Sequence, residues 1–361
     1  MEAKELVYCS KCVMDGSATE IILDADGVCN FCHQAQRAIQ EVEAEKHNLS
    51  NILEQIKKDG EGKKYDCLLG LSGGVDSSTV LVNAIKFGLR PLCFTVDNGY
   101  NDPKADENIM RLVEGLKVPF YRYNINLQKF RELQAAFMQA GQINLEVPTD
   151  HILMATSLEV ASQYGIKWIL SGGNVATESI MPESWGHNAR DLWYMKDVYR
   201  RMMWKRLKGL PMCGLLKWNY YKWIRGIKTF YLLDYLDYHR KKSEEALTKE
   251  FGFKSTGEKH EESTWTRWFQ SFWLYQKFGI DKRKTHLSSL INSGQMTKSE
   301  ALTVLYNPPE YPQLGIERKA MMYKKIPDTQ FKSDEWLYKF ISKVVRLCKS
   351  SVTSLHLSKK H

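Results

Sequence analysis

Between residues 64 and 171 the apolar positions fall into two alternating patterns. Runs such as Cys67-Leu68-Leu69-Gly70-Leu71 are short and apolar on both faces, as a buried parallel strand requires. Between such runs, apolar residues recur at helical spacing. The patterns predict strands at 66–71, 91–96, 119–124 and 167–171, and helices at 77–88, 104–116, 127–140 and 149–164. This βαβα rhythm predicts an α/β fold built on a doubly wound parallel sheet. Ahead of it, Ile39, Val42, Leu49, Leu53 and Ile56 lie at roughly helical spacing within 33–58, and Asp59-Gly60-Glu61-Gly62 reads as a boundary. After residue 180 the alternation stops and the remainder reads as mostly helical. Trp265, Trp268, Phe269, Phe272, Trp273 and Tyr275 form an aromatic stripe of the kind that builds core, and 285–305 reads as two helices hinged at Ser293-Gly294.

In a doubly wound sheet the ligand lies beyond the carboxyl ends of the strands. Three polar clusters fall there: Ser72 to Ser78, Asp97-Asn98-Gly99 and Ser171-Gly172-Gly173-Asn174. The first, Ser72-Gly73-Gly74-Val75-Asp76-Ser77-Ser78, has the make-up of a pyrophosphate-gripping loop. Gly73 and Gly74 let backbone N–H groups turn toward an anion, and the following helix presents its positive end. Ser72 and Ser77 can donate to phosphate oxygens, whereas Asp76 beside phosphate needs Mg²⁺ between them. The loop is not a Walker A sequence, because no lysine occurs between Lys64 and Lys86. The pattern SGGxDS resembles the PP-loop of the ATP pyrophosphatase superfamily, which cleaves ATP to AMP and pyrophosphate and so adenylates a substrate oxygen. The resemblance implies ATP on Ser72 through Ser78, with catalytic roles for Ser72, Asp76 and Ser77. The other two clusters supply Asp97, Asn98, Gly172, Gly173 and Asn174 to the same site, although Asp97 and Asn98 are equally suited to capping the next helix.

The first 35 residues hold two cysteine pairs, Cys9-x-x-Cys12 and Cys29-x-x-Cys32, separated by sixteen residues. That spacing predicts a structural Zn²⁺ ribbon in which four thiolates close the coordination shell and leave no position for a catalytic water. Eight cysteines in a chain without an apolar signal core at MEAKELVYCSKC suit the reducing cytoplasm. No apolar stretch approaches the ~20 residues of a transmembrane helix.

The net charge of +9 is unevenly spread. Between Lys196 and Lys228 ten Lys or Arg residues face one acid, Asp197, and Tyr199, Trp204, Trp218, Tyr220, Tyr221 and Trp223 lie among them. Such a mixture suits an anionic ligand with stackable rings, and suits equally a solvated basic face over an aromatic core.

The four-Cys ribbon and SGGVDSS are followed by GGNVATES at 172–179, by Lys259-His260-x-Glu262-Ser263 and by KFGIDKRKTHLSSLINSGQMTKSEAL at 277–302. From about residue 5 to about residue 325 the chain resembles the N-acetyl sugar amidotransferase family, PP-loop enzymes of bacterial O-antigen and related surface-glycan biosynthesis. The resemblance implies a zinc ribbon at 1–35, a helical linker at 36–63, a PP-loop nucleotide domain at 64–185 and a mostly helical sugar-substrate region at 186–361. It implies conversion of an N-acetyl group on a nucleotide-activated sugar to an acetamidino group through an adenylated imidate. Glu178, Lys259, His260, Glu262, Ser263 and Arg283 are the expected substrate residues. The chain opens Met1-Glu2 with no cysteine nucleophile, and Cys213 lacks the preceding glycine of a glutaminase elbow. Ammonia is therefore expected from elsewhere; the resemblance implies a separate pair similar to the glutaminase and cyclase subunits of imidazole glycerol phosphate synthase, and no nucleic acid partner is expected.

Two rival readings remain open to the sequence. A PP-loop tRNA-thiolating enzyme would use the basic aromatic segment for RNA, but needs a further cysteine pair near the loop. A non-catalytic zinc module that binds nucleic acid leaves the loop without a purpose.

Overall fold

The structure is a computed structural model that describes residues 7–257, 259, 261–340 and 343. Five parallel strands form one sheet in the order β3-β2-β1-β4-β5. They are β1 (Cys67–Gly70), β2 (Pro91–Asp97), β3 (Phe120–Asn124), β4 (Trp168–Ser171) and β5 (Lys228–Tyr231). Leu69 of β1 lies opposite Cys93 of β2 on one side and Leu170 of β4 on the other. The chain winds outward from β1 to β3, then returns to β4 on the opposite side. The loops after β1 and β4 therefore diverge, and the crevice between them is the topological switch point.

Helices cover both faces of the sheet. Helices α1 (Asn30–Glu45) and α2 (Leu49–Asp59) are joined by a 3₁₀ turn at Lys46–Asn48 and precede the sheet. Then come α3 (Val75–Lys86), α4 (Pro103–Gly115), α5 (Leu127–Gln139) and α6 (Val147–Gln163). Leu53 and Ile56 of α2 share one core with Val80 and Leu81 of α3 and Ile109 and Leu112 of α4. Phe130 of α5 and Ile152, Ala155 and Leu158 of α6 build the core of the other face on Leu68, Leu92 and Phe94. Local chemistry sets the helix starts: Asp102 caps α4 with Pro103 behind it, and Asn126 caps α5. Asp102, rather than Asp97 or Asn98, is thus the cap of α4. Helix α3 begins at Val75, two residues before the expected start, so Asp76 lies in its first turn.

Beyond β4 run α7 (Val175–Glu178), α8 (Leu192–Met203), α9 (Leu215–Asn219) with a π-helical extension Tyr220–Ile224, and α10 (Arg240–Phe251). The alternation expected to stop at residue 180 yields one more strand, β5, which pairs Trp168 with Lys228 and Ser171 with Tyr231. Its sequence Lys228-Thr229-Phe230-Tyr231 is too short to show a period, and only Phe230 is buried. The C-terminal part holds α11 (Thr264–Trp268) continuing as a π-helix through Phe269–Lys277, then α12 (Arg283–Asn292), α13 (Lys298–Leu305) and α14 (Glu317–Met322). The aromatic stripe is core as expected: Trp268 and Trp273 are fully buried, and their indole N–H groups donate to Glu317 Oε1 (3.0 Å) and the Gln142 carbonyl (2.9 Å). Helices α12 and α13 meet at Ser293-Gly294, where Gly294 has φ +72°.

The cysteine ribbon packs into the same core as the C-terminal helices. Lys298 Nζ donates to the Cys9 and Ser10 carbonyls (2.7 and 2.9 Å), and Ser288 Oγ accepts from the Val13 N–H (3.3 Å). Among the described residues no helix is long and apolar enough to cross a membrane.

Candidate functional site

The loop after β1 is held by glycine geometry and by its own serines. Gly73 has φ +79°, and a Cβ there would lie 2.2 Å from the Ala105 carbonyl oxygen, so only glycine fits. Asn108, fully buried on α4, donates Nδ2 to the Gly73 carbonyl (3.1 Å). Ser72 Oγ accepts from the Gly74 N–H (3.2 Å) and lies 3.2 Å from Ser77 Oγ. Ser78 Oγ donates to the Gly74 carbonyl at 2.7 Å and is fully buried, so it braces the loop from inside. Across the crevice a Cβ at Gly172 would come within 3.0 Å of the Ser77 N–H nitrogen, so the two strand ends are in close contact. Asn174 Oδ1 accepts from the Thr177 N–H (2.9 Å) and caps α7.

The structure brings three expected residues, Lys259, Glu178 and Glu262, to this loop, and with them Tyr238, which sequence reasoning missed. Lys259 Nζ lies 2.6 Å from Asp76 Oδ2, 2.6 Å from Thr177 Oγ1 and 2.8 Å from Glu178 Oε1. Its side chain is almost wholly buried. The Tyr238 hydroxyl donates a short hydrogen bond to Asp76 Oδ1. Burial pushes the Asp76 carboxyl up, but the Lys259 ammonium and the Tyr238 hydroxyl outweigh it and hold the group below its ordinary value. Burial likewise raises Tyr238. Glu262 sits over Gly74, where a Cβ would approach its Oε1 to 3.1 Å, and burial raises its carboxyl. The cause of this convergence is a short zipper. The Glu262 backbone carbonyl accepts from the Asp102 N–H (2.8 Å) and the Thr264 N–H donates to the Tyr100 carbonyl (2.8 Å), which stitches 262–264 to the turn after β2.

Other expected residues have structural partners. Ser263 caps α11 through Thr266. Arg283 makes a two-pronged pair with Asp281 (2.7 and 3.0 Å) and donates to the Val304 and Asn307 carbonyls. Asp97 Oδ1 accepts from the Gly99 N–H and Asn98 Oδ1 from the Tyr100 N–H, which shapes the turn that receives the zipper. His260 lies outside the described residues.

Beside the loop opens a cavity of about 710 Å³, lined by α6, α7, α11 and α12. Its size is that of a small-molecule site. Lys259, Glu178 and Lys282, the last in the polar run 281–283 beside the expected Arg283, line it together with two residues that sequence reasoning missed, Glu146 and Asp150. Burial drives the Glu146 carboxyl up, and its neighbour Asp150 adds to the shift. Asp150 is raised by burial against the pull of Lys282, with Glu178 raising it further. Burial brings the Lys282 ammonium down to about 8. Glu146 Oε2 accepts from Thr266 Oγ1 (3.2 Å), while its Oε1 is buried with no hydrogen-bond partner among the described residues. Two acids four apart at the head of α6 were the signal available in LEVPTDHIL.

The hard oxygen donors of Asp76 and Glu178 are of the type that holds Mg²⁺. Both reach one buried ammonium, so the place between them is built for positive charge.

At the ribbon, the sulfur atoms of Cys9, Cys12, Cys29 and Cys32 all lie within 4.8 Å of one another, with Cys9 to Cys32 at 3.9 Å and Cys12 to Cys29 at 3.7 Å. Tetrahedral Zn²⁺ with its usual sulfur bond length separates its ligands by roughly 3.8 Å, so the four thiols fit that ion. N–H groups of Cys12 and Cys29 point at Cys9 Sγ, and Asn292 Nδ2 donates to Cys32 Sγ (3.3 Å). The other described cysteines, Cys67, Cys93 and Cys213, are buried, and burial pushes the Cys213 thiol to about 11. Among the described residues no cysteine pair lies at the crevice.

Residues 262–344 match the family described as LPS biosynthesis protein WbpG-like, C-terminal domain. An uncharacterized protein of Methanocaldococcus jannaschii is 30% identical over 167 residues, which is 45% of this chain and 58% of that protein's length. Among solved structures, the NH3-dependent NAD synthetase from Campylobacter jejuni, in complex with the nitrate ion, is similar at 16% identity and a TM-score of 0.28, over 38% of this chain and 58% of that one. The NMN synthetase from Francisella tularensis is similar at 14% identity and a TM-score of 0.28, over 70% of this chain and 96% of that one. Glu262 over the loop after β1 is thus the first residue of the segment that matches a lipopolysaccharide-biosynthesis domain, and Lys259 lies three residues ahead of it.

Proposed function

We propose that the protein is an ATP-dependent, AMP-forming amidotransferase of lipopolysaccharide or related surface-glycan biosynthesis. In this reading it converts an N-acetyl group of a nucleotide-activated sugar to an acetamidino group. The observation that carries the reading is the meeting of the SGGVDSS loop with Glu262, the first residue of the WbpG-like region, and with Lys259 just ahead of it. One site then combines a phosphate-gripping turn with a cavity large enough for a sugar.

The chemistry follows from what an amide lacks. Its carbonyl is a weak electrophile and its oxygen leaves poorly. The amide oxygen attacks the α-phosphorus of ATP, the bond to the pyrophosphate oxygen breaks, and an imidate carrying AMP forms. The N–H groups of the Ser72–Ser78 turn and the amino end of α3 meet the charge that develops on the departing pyrophosphate. Lys259, held by Asp76 and Thr177, adds a fixed positive charge at the same place. Mg²⁺ held by Asp76 and Glu178 would supply further charge neutralisation when bound. Ammonia then adds to the imidate carbon, AMP leaves with the former amide oxygen, and the nitrogen sheds its excess proton to a carboxylate. Asp150 and Glu146 stand in the cavity with their proton affinities raised into the range where they can take it. Closure of the cavity over the substrate would keep water from the imidate.

Ammonia from a separate glutaminase and cyclase-like pair completes the reading. The test is to incubate the protein with ATP, ammonium and a panel of nucleotide diacetamido sugars under mass detection. A product lighter by the difference between oxygen and NH, with AMP and pyrophosphate in equal amount, supports the reading. ADP and phosphate instead would sink it.

A further inference from the structure

The basic aromatic segment found in the sequence takes no part in the crevice. From Val198 to Leu233 the chain has nine Lys or Arg residues and no Asp or Glu. Helix α9 and its π-helical extension run as one stretch from Leu215 to Ile224. Its inner side is anchored by Tyr221, 5% exposed, and by Trp218, which pack on the α6 face of the sheet. Its outer side is apolar. Leu216 is 87% exposed, Tyr220 46%, Trp223 59% and Ile224 73%, at spacings of four, three and one that keep them on one face. Lys217, Lys222 and Arg225 border this face and are themselves exposed. Lys222 Nζ lies 5.5 Å from the Trp223 ring centre. Glu159 of α6 lies 4.0 Å from Lys217. Trp204, 91% exposed with φ 55° at the end of α8, lies in the same acid-free run and is followed by Lys205, Arg206 and Lys208.

We propose that this face docks the protein flat on an anionic phospholipid surface. The composition selects that occupant. Nucleic acid accepts the rings and the cations, but Leu216 and Ile224 offer it aliphatic surface with nothing to stack on or bond. A second copy of the chain would bring like positive charge against like. A phospholipid surface takes all three parts: aliphatic groups enter the acyl boundary, Trp and Tyr settle at headgroup level, and Lys and Arg meet the phosphates. Attachment through such a face is peripheral and reversible. The inference stands on the surface alone and does not depend on the reaction proposed above.

Co-sedimentation of the full chain with vesicles tests it. Vesicles of phosphatidylcholine mixed with phosphatidylglycerol should bind the protein at low salt, and phosphatidylcholine alone should not. Leu216→Ser, Trp223→Ser and Ile224→Ser together should weaken binding at least about tenfold with an unchanged melting temperature. Lys217→Gln with Lys222→Gln should weaken it about fivefold per charge. Absence of binding to the anionic vesicles overturns the proposal, as does equal binding by the serine variant, which would reduce the effect to unspecific charge. High-affinity single-stranded RNA binding, or a dimer, lost through the same serine substitutions would overturn it by assigning the face to another occupant.

Discussion

At the scale of single residues, Lys259 decides how the loop behaves. Asp76 is one partner of a nearly buried ammonium that also holds Glu178. Asp76→Asn should lower AMP formation by about a hundredfold or more, because the fixed charge at the phosphates loses its anchor. The cost in stability should stay below the about 3–5 kcal/mol of an orphaned buried charge, since Glu178 still pairs the lysine. Chemical denaturation beside an assay for pyrophosphate separates the two effects. A second prediction concerns Glu146 and Asp150. Their folded proton affinities lie above the ordinary carboxylate range, so between about pH 4 and pH 7 the folded chain binds more protons than the unfolded one. The contribution of this pair is present at low pH and is lost as pH rises through the raised values. Glu146→Gln should flatten that part of the stability profile, and urea melts across the window would show it; an unchanged slope would refute it. The serines and glycines of the loop were legible in sequence because they are contiguous. Lys259 was legible only as part of a polar cluster, since contact with Asp76 spans 183 positions. Glu146 and Asp150 were missed because burial, which makes them unusual, leaves no mark on residue type.

At the scale of elements, the Ser72–Ser78 turn depends on one backbone angle. Gly73→Ala should cost more than about 2 kcal/mol and remove ATP-dependent turnover, because a Cβ at φ +79° would strike the backbone of α4. Gly62, also at positive φ but with open space around it, is the control and should tolerate alanine better. The ribbon is the second element with a clear test. Cys29→Ser should release bound metal and also loosen α12 and α13, because Cys32 receives Asn292 and Cys9 receives Lys298. Hydrogen exchange should report lost protection in those two helices; a change confined to the first 35 residues would show that the ribbon folds apart from them. Elements with their own period or caps, such as α4 behind Asp102-Pro103, were readable to within a residue or two. Strand β5 was not, because four residues with one buried side chain carry no alternation to read, and only pairing with β4 makes them a strand.

At the scale of the whole molecule, the supply of nitrogen remains to be joined to the cavity. Turnover with free ammonium should rise through the mildly alkaline range, since only the neutral amine attacks. Glutamine alone should give none, because Cys213 is buried with a thiol held near pH 11 and its N–H donates to His151 (3.1 Å). A glutaminase pair should restore it, and glutamine-dependent turnover by the isolated chain would contradict this division of labour. Where the chain can be cut and rejoined is a separate matter, and Lys259 governs it. The recognisable C-terminal domain begins at residue 262, and a chimera built at that natural seam would leave the lysine behind with the donor of the loop. Its distance to Asp76 would then rest on whatever foreign residues hold the zipper between 100–102 and 262–264. A junction in the turn after α10, at Gly252, carries Lys259, Glu262 and their zipper strand together. Exchanges of the C-terminal region between chains of this kind should therefore succeed when cut there and fail when cut ten residues later.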